Sequence, residues 1–113
     1  MAKSIRIPLT DAAPVSIDPE IWPVVAVARW HDGQIESQAT RRARLTVRCH
    51  ADGRSLVTGW STSQFQGEGE FDAGEIVAAG GDVIAAIHRT AETIGREHLA
   101  QECIQDLPAV DLT

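Results

Sequence analysis

The chain has 113 residues, 43% of them hydrophobic and 23% charged, with a formal net charge of −6 and a sequence pI near 5.0. That length makes one domain, residues 1–113, with a single modest core and no room for a separate regulatory unit. The acidic balance argues against a general polyanion binder held by bulk charge, and no apolar run reaches the length of a membrane span. The N-terminal MAKSIRIPLT lacks the long apolar segment of a secretory leader, so a cytoplasmic location is expected. In a reducing compartment Cys49 and Cys103 are expected to be free thiols.

Taken in chain order, Ser4 to Leu9 reads as a short first strand with Ile5, Ile7 and Leu9 on one face, and Pro8 suits an edge. Residues 11–23 carry prolines 14, 19 and 23 and read as an extended connection. Within it Asp18 is placed to cap a helical turn ending at Trp22. Residues 24–31 form the most apolar strand candidate, and Asp32-Gly33 is a hairpin signal. A tight turn there predicts a middle strand over 35–50, with Trp30 opposite Ile35 and Arg29 opposite Glu36. That register leaves Val25 and Val27 on the polar face unless a bulge near 38–41 reverses it.

From 42 to 50 polar and apolar residues alternate without a break, with Arg42, Arg44, Thr46, Arg48 and His50 against Ala43, Leu45, Val47 and Cys49. Side chains on a strand alternate between faces, so this stretch predicts one apolar face and one arginine stripe. A two-residue turn at Asp52-Gly53 predicts a partner strand over 55–63, with Leu56 opposite Cys49, Thr58 opposite Val47 and Trp60 opposite Leu45. Residues 64–70 read as a polar loop anchored by Phe65. Asp72 and Glu75 have capping-box spacing for a short helix over 73–79. Asp82 then caps a main helix expected over 83–106, with Glu92 and Arg96 as an outer i,i+4 pair and Gly95 marking close packing. The fold class predicted is α+β, an antiparallel β-meander of three to four strands with a long C-terminal α-helix packed on one face.

Charge is spread unevenly. Residues 41–54 hold five arginines and one aspartate, whereas residues 66–113 hold ten acids and two arginines. Arg42, Arg44, Arg48 and Arg54 are therefore candidate contacts for a nucleic acid or another anion, with Trp30 or Phe65 as stacking groups. Two plainer readings stand beside this one: a solvated sheet face, or neutralisation of the arginines by Glu68, Glu70, Asp72 or Glu75. Glu92, Glu97, Glu102 and Asp106 are the candidate acidic surface for a protein partner.

His31, His50, His88 and His98 with the two cysteines give no chelating spacing, so no metal is expected. The His31-Asp32 pair lies at a turn with no nucleophile motif near it, and Gly80-Gly81 lacks the companions of a phosphate loop. No catalytic residue and no cofactor are expected. The leading expectation is a small non-enzymatic protein–protein interaction module, homodimeric, with an unidentified protein partner and no membrane contact. By class it would be an accessory or inhibitor domain of the bacterial or phage kind. The second expectation is a nucleic-acid binder using the arginine-lined face of the 41–63 hairpin.

Overall fold

The computed structural model describes residues 3–65 and 67–109. Six strands run β1 (Ile5–Leu9), β2 (Ala12–Ile17), β3 (Val24–His31), β4 (Arg41–Cys49), β5 (Ser55–Ser63) and β6 (Phe71–Val77). They are followed by helices α1 (Val83–Thr93) and α2 (His98–Asp106). Strands β3 to β6 make a four-stranded antiparallel meander in sequence order, and β1 and β2 pair separately as a hairpin. The α+β antiparallel expectation holds, but the described residues form two sheets, and two short helices stand in place of one long one.

The helix divides because Gly95 takes φ +73, a conformation open to glycine. Gly95 N–H donates to Glu92 O at 3.0 Å and Arg96 N–H to Ala91 O at 2.9 Å, the two bonds of a Schellman ending. Arg96 is thereby taken off the helix surface, and the expected Glu92–Arg96 pair does not form. Its guanidinium lies over the Trp30 ring, 4.1 Å from the centroid. The N-terminal end of α1 is as expected, with the Asp82 carboxylate accepting from Ala85 N–H at 2.9 Å.

Both hairpin turns differ from a two-residue reading. At 50–54 only Gly53 has positive φ (+95), Gly53 N–H donates to His50 O at 3.0 Å, and His50 N–H donates to Arg54 O at 2.9 Å. This is a three-residue loop with glycine in the left-handed position. The added residue shifts the partner strand by one, so Cys49 faces Ser55, Val47 faces Val57, Leu45 faces Gly59 and Arg44 faces Trp60. A one-residue shift exchanges the two faces of a strand. Val57 therefore enters the core, and Trp60 joins the arginines.

The earlier turn is longer still. Residues 34–40 lie in a loop with a short 3-10 turn, and Trp30 pairs with Ala43 rather than Ile35. Asp32 holds this loop by accepting from Thr40 N–H at 2.8 Å and Arg41 N–H at 3.0 Å. Its carboxyl is held below the usual range, chiefly by the Thr40 hydroxyl and then by Arg41 N–H. Residues 71–77 form an edge strand where a short helix was expected. Ala73 and Val77 face the core and Glu75 pairs with Arg89, so tertiary pairing overrides the capping-box pattern.

The front face of the large sheet carries Ala28, Ala43, Leu45, Val47, Val57, Ala73 and Val77 beneath Ile87, Ala91, Ile94, Leu99 and Cys103 of the helical layer. On the back face, β1 crosses β6 at Gly74. A smaller cluster of Ile17, Trp22 and Leu56, flanked by Ile5, Ile7, Leu9 and Val15, fills the space under the hairpin. The Asp18 turn forms as expected, with Trp22 N–H donating to Asp18 O at 3.0 Å. Each edge of the sheet carries a cap. Val27 N–H donates to the Asp106 carboxylate at 2.9 Å, and Thr10 N–H donates to Gly74 O at 2.8 Å.

Candidate functional site

The β1–β2 hairpin covers only one end of the back face, over Leu56 and Gly74. At the other end the pairing sets up two cross-strand rows. One reads Arg29, Arg44, Trp60, Asp72 and the next His31, Arg42, Thr62. Arg29 was not among the candidates from sequence, because the expected register placed it against Glu36. It lies directly opposite Arg44, a like-charge pairing that costs stability unless an anion bridges it.

None of the ion pairs among the described residues involves Arg29, Arg42, Arg44 or Arg48. Two of the four carboxylates of the 68–75 segment are paired elsewhere, and Glu70 and Asp72 form no ion pair among the described residues. Glu68 accepts from Arg41 Nε at 2.8 Å and Nη2 at 2.7 Å, and Glu75 binds Arg89. The Nε atoms of Arg42, Arg44 and, on the other side of the sheet, Arg96 are shielded from solvent without a hydrogen-bond partner among the described residues.

The four arginines expected to act together separate into two groups. Arg44 lies 5.7 Å from the Trp60 ring centroid, and Arg42 is steadied by one bond to Glu36 O at 2.9 Å. Arg48 donates to Trp22 O at 3.0 Å beside the covered end of the sheet. Arg54 is paired with Asp52 at 2.8 Å and stands over Trp22. Arg42 and Arg44 thus remain on the open end with Arg29, while Arg48 and Arg54 serve the connection to the small hairpin. Trp30 lies on the front face under Arg96, and Phe65 packs under Arg41 with the guanidinium 4.3 Å from its centroid. The aromatic group on the arginine face is Trp60.

The acidic set is dispersed. Glu92, Glu97 and Glu102 are exposed on the helical layer, opposite the arginine face, whereas Asp106 is the cap on Val27. No three His, Cys, Asp or Glu side chains form a metal-binding group among the described residues. His31 Nδ1 meets Asp32 O, a carbonyl, at 3.1 Å, so the carboxylate does not orient the imidazole. Burial pushes the Cys103 thiol up to about 11, far from a reactive thiolate. No helix is long and apolar enough to cross a membrane among the described residues.

Compared with known protein families, curated proteins and solved structures, the chain matches none.

A cleft of about 440 Å³ lies between the 67–69 segment and the helix junction, with Arg41, Ser63, Glu68, Phe71, Ile94 and Arg96 on its walls. Ser63 Oγ donates to Glu68 at 2.6 Å, which places a hydroxyl beside a carboxylate. The Arg41 fork and then Ser63 lower the Glu68 carboxyl to about 2, too weak a base to activate that hydroxyl. The contact is a loop latch. Because its folded value lies below the ordinary 4.5, the latch contributes fully above that value and is lost as pH falls through about 2. The Ser63 and Glu68 amide signals are therefore expected to titrate with a midpoint near 2, and a midpoint near 4.5 would show that the latch is open in solution.

Proposed function

We propose that this protein is a non-enzymatic interaction module whose working surface is the open arginine face, and that its partner there is anionic. The observation that carries the reading is the uncompensated cluster of Arg29, Arg42 and Arg44: two of them face each other across the strands, and no carboxylate among the described residues pairs with any of the three. The acidic helical layer on the opposite side favours presentation of the basic end to a negative partner.

The test is binding to a panel of polyanions at low salt, with a polyglutamate peptide and oligonucleotides as probes. Wild type is expected to bind at least one probe, and Arg42→Glu/Arg44→Glu to lose at least about tenfold in affinity. The variant's unfolding free energy is expected to stay within about 1 kcal/mol of wild type, because Arg44→Glu replaces a repulsive pairing with Arg29 by an attractive one. Absence of binding to every probe, or equal binding by the variant, would remove the reading.

The homodimer is a further proposal. It is favoured by the exposed apolar side chains of β6, where Phe71 is 51% and Ile76 44% exposed. Light scattering decides between monomer and dimer.

A further inference from the structure

Resting on the arginine-face reading, we infer that the occupant of that face is a single-stranded nucleic acid rather than the acidic surface of a protein. Arg42 and Arg44 lie two residues apart on one strand, which sets their stems about 6.6 Å apart in a straight row. That interval suits successive phosphates of an extended single strand. Arg29, directly opposite Arg44 on the neighbouring strand, adds a third cation beside that row.

Trp60 separates the two kinds of partner. Its half-buried indole sits next to Arg44 on the same face, in the cross-strand row Arg44–Trp60–Asp72, with Thr58 and Thr62 on either side of it along β5. An aromatic plane beside phosphate-neutralising arginines is the combination that holds a base and its backbone together. An acidic protein surface can use the indole as contact area and as an N–H donor, whereas only a nucleic acid presents base planes that stack on it. The open end is a sheet face, and among the described residues no helix or ribbon rises from it to enter a duplex groove, which favours an unpaired strand. The Asp72 carboxylate at the end of the row bounds the cationic strip on the β6 side. With the net charge of −6, it keeps the expected affinity modest and sensitive to salt.

Fluorescence anisotropy on the full chain tests this with labelled oligothymidylate and oligouridylate of about twelve nucleotides, a duplex of equal length and a labelled polyglutamate peptide. The single strands are expected to bind best. With roughly three phosphates neutralised, their affinity should fall about 20-fold between about 50 and about 200 mM salt. Arg29→Gln should weaken them roughly threefold or more, and Trp60→Ala roughly fivefold or more. Trp60→Phe, which keeps a ring in the sheet, should recover most of that loss.

Arginine-dependent binding of polyglutamate with no response to Trp60 would overturn the inference and leave the arginine-face reading intact. Tighter binding of the duplex would also overturn it. Oligonucleotide binding that ignores Arg29, Arg42 and Arg44 would overturn both.

Discussion

Leu45→Ala is expected to destabilise the protein by about 2–5 kcal/mol, read as a lower urea midpoint with an unchanged slope. Leu45 is fully buried on the second strand of the four-stranded meander, with Gly59 directly opposite on β5. A methyl group built on Gly59 would lie 2.8 Å from Leu45 Cδ2, 3.0 Å from Thr90 Cγ2 and 3.3 Å from Ile94 Cδ1, so the leucine occupies the space that glycine leaves. The two positions should therefore couple. Gly59→Ala alone overpacks the site and is expected to cost about 1–3 kcal/mol, whereas in the Leu45→Ala background it should cost less, because the clash with Cδ2 is gone. Strict additivity in this double-mutant cycle would show that Leu45 does not fill the space over Gly59. The result bears on function because the backbone that buries Leu45 presents Arg44 and Thr46 to the other side.

Gly74→Ala is the second large effect, with an expected cost of about 1–3 kcal/mol concentrated in the small hairpin. A Cβ at Gly74 would stand 2.6 Å from Pro8 O, a backbone atom that cannot swing aside as a side chain can. The same glycine accepts from Thr10 N–H and donates to Thr10 Oγ1 at 3.1 Å, so the methyl strains the junction where β1 crosses β6. Displacing the hairpin uncovers Ile17, Trp22 and Leu56. Amide exchange should rise across Ile5–Leu9 and Ala12–Ile17 well before it rises in β4 and β5. Polyanion binding should survive, since the row holding Arg29 and Arg44 lies beyond the covered end. Uniform loss of protection across both sheets would show that hairpin and meander unfold as one unit.

Much of the meander was legible in sequence. The alternation over 42–50 defined both faces of β4, and Ala43, Leu45 and Val47 are buried as that pattern requires. What the local pattern did not determine was loop length. Asp-Gly serves a two-residue turn when both residues take positive φ, and a three-residue loop when glycine alone does. At 52–53 only Gly53 does, and one residue of difference moved Trp60 from the core face to the arginines. The signal that separates the two cases was present in the apolar content of 55–60, because Val57 opposite Val47 buries more apolar surface than Thr58 in that place.

Arg29 was obscured for a related reason. Its expected partner, Glu36, belongs to a loop that Asp32 closes through Thr40 and Arg41, a contact eight and nine residues away that no local pattern displays. Gly95 was legible as a special position, but its role is chain reversal between α1 and α2 rather than close packing: it takes φ +73 and has open space where a Cβ would be. The question that sequence could pose was whether the 68–75 carboxylates neutralise the arginine stripe. Glu68 and Glu75 pair with Arg41 and Arg89, and no ion pair among the described residues joins Glu70 or Asp72 to Arg42 or Arg44.

The most direct measurement of the central claim is an amide and indole NMR titration of the full chain with a short single-stranded oligonucleotide at low salt. Shifts are expected at Arg29, His31, Arg42 and Arg44 and at the Trp60 indole N–H, with α1 and α2 unmoved. Shifts confined to the helical layer, or none at the arginine rows at saturating ligand, would contradict the account.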